Sequence, residues 1–370
     1  MSSENINTNI AIIGGGLSGL SLSILLAKEG FEVTLFEKKD YPRHKVCGEY
    51  ISLESWDFLE RIGIPLNTLN LPIISEVYLS SHQGTSLKSA LPLGGFGISR
   101  FTLEELLFQK AQQVGVKVLT KTSIVSYSDN AVETQLGVKH YANLIIASYG
   151  KKTNFNIQVK PSTGQKYFAL KWHMNVDIPK DRIHLHFFEK GYIGSSQIEE
   201  GKTNACLIAA QELLENSENN IEQFLHRYVF KNKEAKELFE NATLLFERPL
   251  SIGNITFSHR YPSGSNLLLC GDAAGMVAPL NGNGMSMAFY SAFLLAEQIN
   301  KYRNTPESKT LISNEYEKIW KKKFRNRLLV GNWLQHASLN NFAIPTILKI
   351  GKTIPALLPP LIKLTHGKPF

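Results

Sequence analysis

Three glycines and a carboxylate near the start of the chain are the first residues able to do chemistry. Gly14, Gly16 and Gly19 stand at GxGxxG spacing within Gly14-Gly15-Gly16-Leu17-Ser18-Gly19, and Glu37 closes the apolar segment that follows. Gly14 permits a tight turn, Gly16 lets the backbone approach a pyrophosphate, and Gly19 lets a helix lie close on a sheet. The helix start offers free N–H groups and partial positive charge to phosphates. Glu37 sits where a carboxylate accepts bonds from the adenosine ribose hydroxyls, which disfavours a 2′-phosphate there. The ligand is therefore FAD or NAD rather than NADP, and this unit alone leaves the two open.

A second cluster lies far along the chain. Residues 266–275, NLLLCGDAAG, form an apolar run ending in a carboxylate, and Asn281-Gly282-Asn283-Gly284-Met285 opens another helix. Asp272 can hold a sugar-alcohol chain by hydrogen bonds. A helix starting near Gly284 points its positive end beyond itself. A reduced flavin, negative around N1 and O2, suits that position.

These residues need elements to place them. Ile10 to Ile13 is short, apolar and β-branched, as a strand buried on both faces of a parallel sheet requires. Leu17, Leu20, Ile24 and Leu25 have helical spacing, and residues 31–36 form the next strand. Further parallel strands are expected over 143–147 and 266–270. Helices are expected over 53–62, 102–114, 213–230 (with a shorter one to 240) and 285–299. Strands are expected over 73–80, 85–91 and 116–119, with 94–97 as loop. Consecutive strands between 166 and 210, separated by hairpin turns, predict an antiparallel sheet.

Composition narrows the classes. A chain of 370 residues with 43% apolar and 19% charged residues can bury a full core. Residues 301–370 hold 13 Lys/Arg against 3 Asp/Glu, or +10; the rest holds 27 against 29, or −2. The net charge of +8 thus belongs to the C-terminal segment, and no nucleic-acid partner is expected. The first residues lack the pattern of a signal peptide, and no apolar run reaches membrane-spanning length. Cys47, Cys206 and Cys270, odd in number and far apart, argue for a reducing compartment.

The GxGxxG with Glu37, the loop PRHKVCGE, Ser99-Arg100 before a helix, and GDAAG with PLNGNGM resemble the flavoproteins grouped around geranylgeranyl reductase, which share the p-hydroxybenzoate hydroxylase fold. The resemblance implies FAD contacts at Gly14, Gly16, Ser18, Gly19, Glu37, Arg43, Cys47, Gly48, Arg100, Asp272, Gly284 and Met285. Arg43 offsets pyrophosphate charge, and Gly48 admits the isoalloxazine close to backbone. One departure matters: related hydroxylases carry Asp-Gly after the middle strand, used for FAD and the nicotinamide donor, whereas this chain reads Ser148-Tyr149-Gly150. That weakens a self-contained NAD(P)H-dependent monooxygenase reading. The tryptophan motif and active-site lysine arrangement of flavin halogenases are not evident.

Other candidates carry less. Cys47 has no cysteine near it in sequence and reads as a small residue lining the flavin. His184 and His186 share one strand face but lack a third ligand, so no metal site is expected. His173 and Tyr192 receive no catalytic role. Ile312, Tyr316, Ile319, Trp320, Phe324 and Leu328 recur at helical spacing, with Leu334 continuing the face. Lys318, Lys321, Lys322, Lys323, Arg325 and Arg327 crowd the other faces. This segment reads as a helix packed on the flavin domain, or as a basic amphipathic foot that touches anionic lipid.

The expected fold is α/β: a Rossmann-type FAD-binding domain (1–70, 96–160, 250–300), an inserted antiparallel substrate domain (71–95, 161–249) and a basic helical segment (301–370). The leading expectation is an FAD-dependent oxidoreductase that reduces or dehydrogenates a carbon–carbon bond of a hydrophobic isoprenoid- or polyketide-like molecule, with NAD(P)H as an optional electron donor. The alternatives are a monooxygenase hydroxylating a phenolic lipid and a non-catalytic electron carrier. The expected location is the cytoplasm, with peripheral contact at the inner membrane surface. The catalytic residues are left unassigned.

Overall fold

A computed structural model describes residues 10–150, 165–255, 267–340 and 343–370. Among these, a five-stranded sheet runs in the order Leu268–Leu269, Leu144–Ala147, Ile10–Ile13, Val33–Phe36, Lys117–Leu119. Every pairing in it is parallel. Ile10 and Ile12 are wholly buried, as a central strand covered on both faces requires. The helix Leu17–Lys28 packs against Arg100–Gln113 and Gly284–Tyr302, so both sequence motifs open onto the same sheet.

A second sheet of nine strands builds the other layer. Its centre is Tyr167–Asn175, Thr203–Ala210, Gly191–Gln197 and Arg182–Phe188, paired antiparallel as expected. Arg182–Phe188 joins Ile73–Ser81 in parallel, which brings the Ile73–Ser81 and Ser86–Gly97 hairpin into the same sheet. Tyr50–Ser52 closes the far edge.

Two expectations are corrected. Residues 94–97 are strand, not loop: Gly97 pairs with Tyr50 and Gly95 with Ser52. A Cβ at Gly95 would strike the Tyr50 ring, and one at Gly97 the Gln197 carbonyl. These glycines serve close packing rather than a turn. The helix over 213–230 breaks into Gln211–Glu215 and Ile221–Arg227, because Glu218 and Asn219 take positive φ and Asn220 caps the second piece. An unforeseen antiparallel sheet, Ile124–Tyr127, Ala131–Thr134 and Lys139–Tyr141, precedes the Leu144–Ala147 strand. The expected strand over 266–270 is seen at Leu268–Leu269, and Asn266 lies outside the described residues.

The C-terminal helix Ser308–Leu339 buries Ile312, Tyr316, Trp320, Phe324 and Leu328, while Ile319 and Leu334 are half-buried. Arg327, expected among solvated cations, is buried and paired with the buried Glu54 at 3.3 Å. The helices Ala343–Thr353 and Leu358–Lys363 then pack on the Ser86–Gly97 strand. Among the described residues, no helix is long and apolar enough to cross a membrane.

Candidate FAD-binding site

The glycine loop leaves the carboxyl end of Ile10–Ile13, where neighbouring strands diverge to either side. Gly14 has φ +105°, a conformation that side chains rarely adopt, and its amide bonds the Phe36 carbonyl at 2.8 Å. A Cβ at Gly19 would run into the Gly14 carbonyl oxygen, whereas one at Gly16 would meet nothing within 4 Å. Gly19 is thus glycine for packing, and Gly16 faces open space. Ser18 Oγ bonds Ser148 Oγ at 2.6 Å, and the Ser148 amide bonds the Ile13 carbonyl at 2.7 Å. Ser148, at the place of the missing Asp, is a brace for the loop.

Glu37 is buried and holds the loop from the other side. Its Oε2 accepts from the Gly15 amide at 2.9 Å, its Oε1 from the Lys39 amide at 2.9 Å, and Arg43 pairs with it at 3.1 Å. Tyr41, not anticipated from sequence, donates its hydroxyl to the Gly15 carbonyl at 2.5 Å.

Three cations converge on the fully buried Glu104: Lys45 at 2.8 Å, Arg43 at 3.9 Å, and Arg100 one helical turn away. Burial opposes ionisation of Glu104, yet Arg100 and Lys45 hold its carboxyl below the usual range. Burial and then the Arg100 charge pull Lys45 down to about 8, against Glu104. Three cations thus gather beside the glycine loop, suited to charge-assisted bonds with a pyrophosphate. Lys45 and Glu104 were not legible as site residues.

The second motif meets the first here. Cys47 Sγ lies 3.6 Å from Met285 Sδ, at the first turn of Gly284–Tyr302. A Cβ at Gly48 would meet nothing within 4 Å, so that loop also borders open space. Asp272 is exposed to solvent yet surrounded by protein, the situation of a group on the wall of a deep cleft. That crowding raises its carboxyl pKa, while Arg100 and Lys45 pull it down, which places Asp272 near the cation cluster. Cys47 also gains a neighbour: Cys206, whose thiol is pushed up by burial and then by Cys47. Both are free thiols.

These residues fit FAD. Gly16 and Gly48 leave room for the cofactor, and Arg100 Nε, Asn283 Oδ1 and Ser286 Oγ are buried with no partner within the described protein. No side chain caps the start of Gly284–Tyr302, the helix whose first turn carries Met285 beside Cys47. The histidines lie elsewhere or serve other contacts: His186 Nδ1 bonds Ser80 Oγ at 2.7 Å, and His173 Nε2 bonds Glu49 Oε2 at 2.7 Å. Tyr192 is buried in an apolar cluster.

Fold and cleft define an FAD-dependent oxidoreductase, an enzyme with FAD as its cofactor. Residues 7–143 match the FAD binding domain family, and residues 190–344 match the squalene epoxidase family. The chain is 22% identical to tryptophan 2-halogenase of Chondromyces crocatus over 90% of its own length and 66% of the halogenase. It is 23% identical to geranylgeranyl diphosphate reductase of Synechocystis, over 88% of this chain and 84% of the reductase. The structure of the flavin-dependent brominase Bmp2 superposes with a TM-score of 0.77 at 15% identity, covering 97% of this chain and 93% of the brominase.

Proposed function

We propose that this enzyme reduces, or in reverse dehydrogenates, a carbon–carbon bond of a hydrophobic isoprenoid-like substrate. One observation carries the reading. An apolar cluster joins the inner face of the large sheet (Tyr167, Phe187, Tyr192) to the C-terminal helices (Ile344, Leu348, Leu358), with Val46 and Met276 packed against it. Val46 adjoins the Cys47-Gly48 loop, and Met276 lies between Asp272 and Gly284. Hydrocarbon thus reaches both segments that border the cofactor cleft, and such an environment favours a lipophilic molecule. Bound FAD supplies two-electron chemistry. The protein's part is to bind, orient and exclude water.

The test is anaerobic: enzyme reduced with dithionite is mixed with a polyprenyl lipid, and flavin absorbance and lipid mass are followed. Return of oxidised flavin together with gain of two hydrogens by the lipid is expected. Reoxidation only when oxygen is admitted, with one oxygen atom incorporated, would overturn it. That outcome would favour the monooxygenase reading, which draws support from the squalene epoxidase match over 190–344.

We also propose that the substrate is taken from an anionic membrane surface. Ile350, Ile354, Leu357 and Leu364 are exposed among the exposed Lys349, Lys352 and Lys363, an arrangement suited to headgroups and the acyl boundary. Flotation with phosphatidylserine liposomes is expected for the parent and lost for Lys349→Glu/Lys352→Glu/Lys363→Glu. Equal flotation of both would remove the idea.

A further inference from the structure

A wholly buried charge beside the cofactor loop has no part in the site as described so far. Glu49 follows Gly48 directly, is wholly buried, and holds φ +54°. Such a backbone conformation is costly for a glutamate and persists only where its surroundings impose it. The Glu49 carboxylate accepts from the buried Lys171 ammonium, from the Arg100 backbone amide at 2.7 Å, and meets His173 Nε2 at 2.7 Å. Its carbonyl accepts from the Ile98 amide at 3.1 Å. Burial opposes ionisation of Glu49, but His173 and Lys171 outweigh it and keep its carboxyl below the usual range.

The sheet grips the loop at a second point. Asn204 pairs with His173 in register, and its Nδ2 donates to the Cys47 carbonyl at 3.2 Å and the Gly48 carbonyl at 2.8 Å. Lys171 and His173 therefore face the loop from the strand Tyr167–Asn175, one beside the other. His173 continues outward to His44, with ring centroids 5.1 Å apart, and stacks on Phe246 at 4.9 Å.

A buried ion pair of this kind is weak support for a fold, since apolar replacement of both partners is often neutral or stabilising. It is strong in its effect on neighbours, because charges in a poorly screened interior act over distance. We propose that the Glu49–Lys171 pair holds the reduction potential of the bound flavin in balance by opposed contributions, the carboxylate opposing and the ammonium favouring the electron-rich reduced ring. Glu49 and Lys171 are then positioning and field-setting residues, acting through the Cys47-Gly48 loop. The proposal rests on FAD as the cofactor and is independent of the substrate.

The experiment is a dye-coupled potential titration of FAD-loaded protein near neutral pH, because burial would neutralise an unpaired Lys171 at higher pH and an unpaired Glu49 at lower pH. Glu49→Gln is expected to raise the midpoint potential relative to the parent. Lys171→Met is expected to lower it. The double variant is expected to return near the parent value, with FAD stoichiometry equal in all forms. Shifts of the same sign in both single variants, or none in either, would overturn the proposal, because a merely structural role predicts no sign reversal. If Glu49→Gln does not fold, the double variant must still lie above Lys171→Met, and equality of those two would be equally decisive against it.

Discussion

Cys47 Sγ and Met285 Sδ lie 3.6 Å apart although 238 residues separate them. The contact joins the loop after Glu37 to the helix after Asp272, so one cleft wall is made from both sequence motifs. Cys47 and Cys206 are half-buried and Cys270 is buried; burial pushes the Cys270 thiol up to about 11 and the Cys206 thiol higher still. Thiolate reactivity follows pKa and access. A thiol reagent is therefore expected to label Cys47 first in FAD-free protein, and bound FAD is expected to protect it. Peptide mass spectrometry with and without FAD checks this; preferential labelling of Cys270 would contradict the placement.

Gly16 and Gly19 separate cofactor binding from folding. Gly16→Val points into open space, so the melting temperature should change little while FAD affinity falls on the order of tenfold, ~1.4 kcal/mol. Gly19→Ala drives a methyl group toward the Gly14 carbonyl and should destabilise by about 1–3 kcal/mol, as overpacking does. Calorimetry and FAD titration on both variants distinguish the two effects.

The Arg327–Glu54 pair ties the C-terminal helix to the turn before Trp56–Ile62. Arg327→Ala leaves a wholly buried carboxylate without its cation and should cost about 3–5 kcal/mol. Arg327→Met/Glu54→Gln should be much milder. Denaturant unfolding of the single and double variants measures the difference.

His184 and His186 predict an acid limb of stability. Burial, then the Arg182 charge, depresses His184 to about 4; burial, then His184, depresses His186 to about 3. An unfolded histidine titrates near 6.5, so below that value the unfolded state binds more protons. The stabilising contribution is present above the unfolded pKa and is lost as pH falls through 6.5 toward 4 and 3. His186→Asn should flatten the melting temperature against pH in that window.

How much of this was legible follows from sequence distance. The glycine loop, Glu37, and the strands around them are local patterns, and the structure has strand, turn and helix where the sequence put them. Asp272 and Met285 were legible as a motif, but their meeting with Lys45, Arg100 and Cys47 depends on sheet order. Glu49 was hidden because its partners lie 122 and 124 residues away, on a strand where Lys171 and His173 look like ordinary alternating residues. Gly95 and Gly97 misled because close packing against Tyr50 and Gln197 uses the same residue as a turn does. Arg327 misled because helical spacing alone cannot reveal a buried carboxylate on another element.

The central claim is that the glycine loop and the Asp272 motif form one FAD site. It is tested most directly by titrating FAD into deflavinated parent, Gly16→Val and Asp272→Ala proteins, reading the flavin's visible absorbance. Saturable binding by the parent and weakened binding by both variants is the predicted result. An Asp272→Ala protein that binds FAD with parental affinity and an unchanged spectrum would contradict the claim.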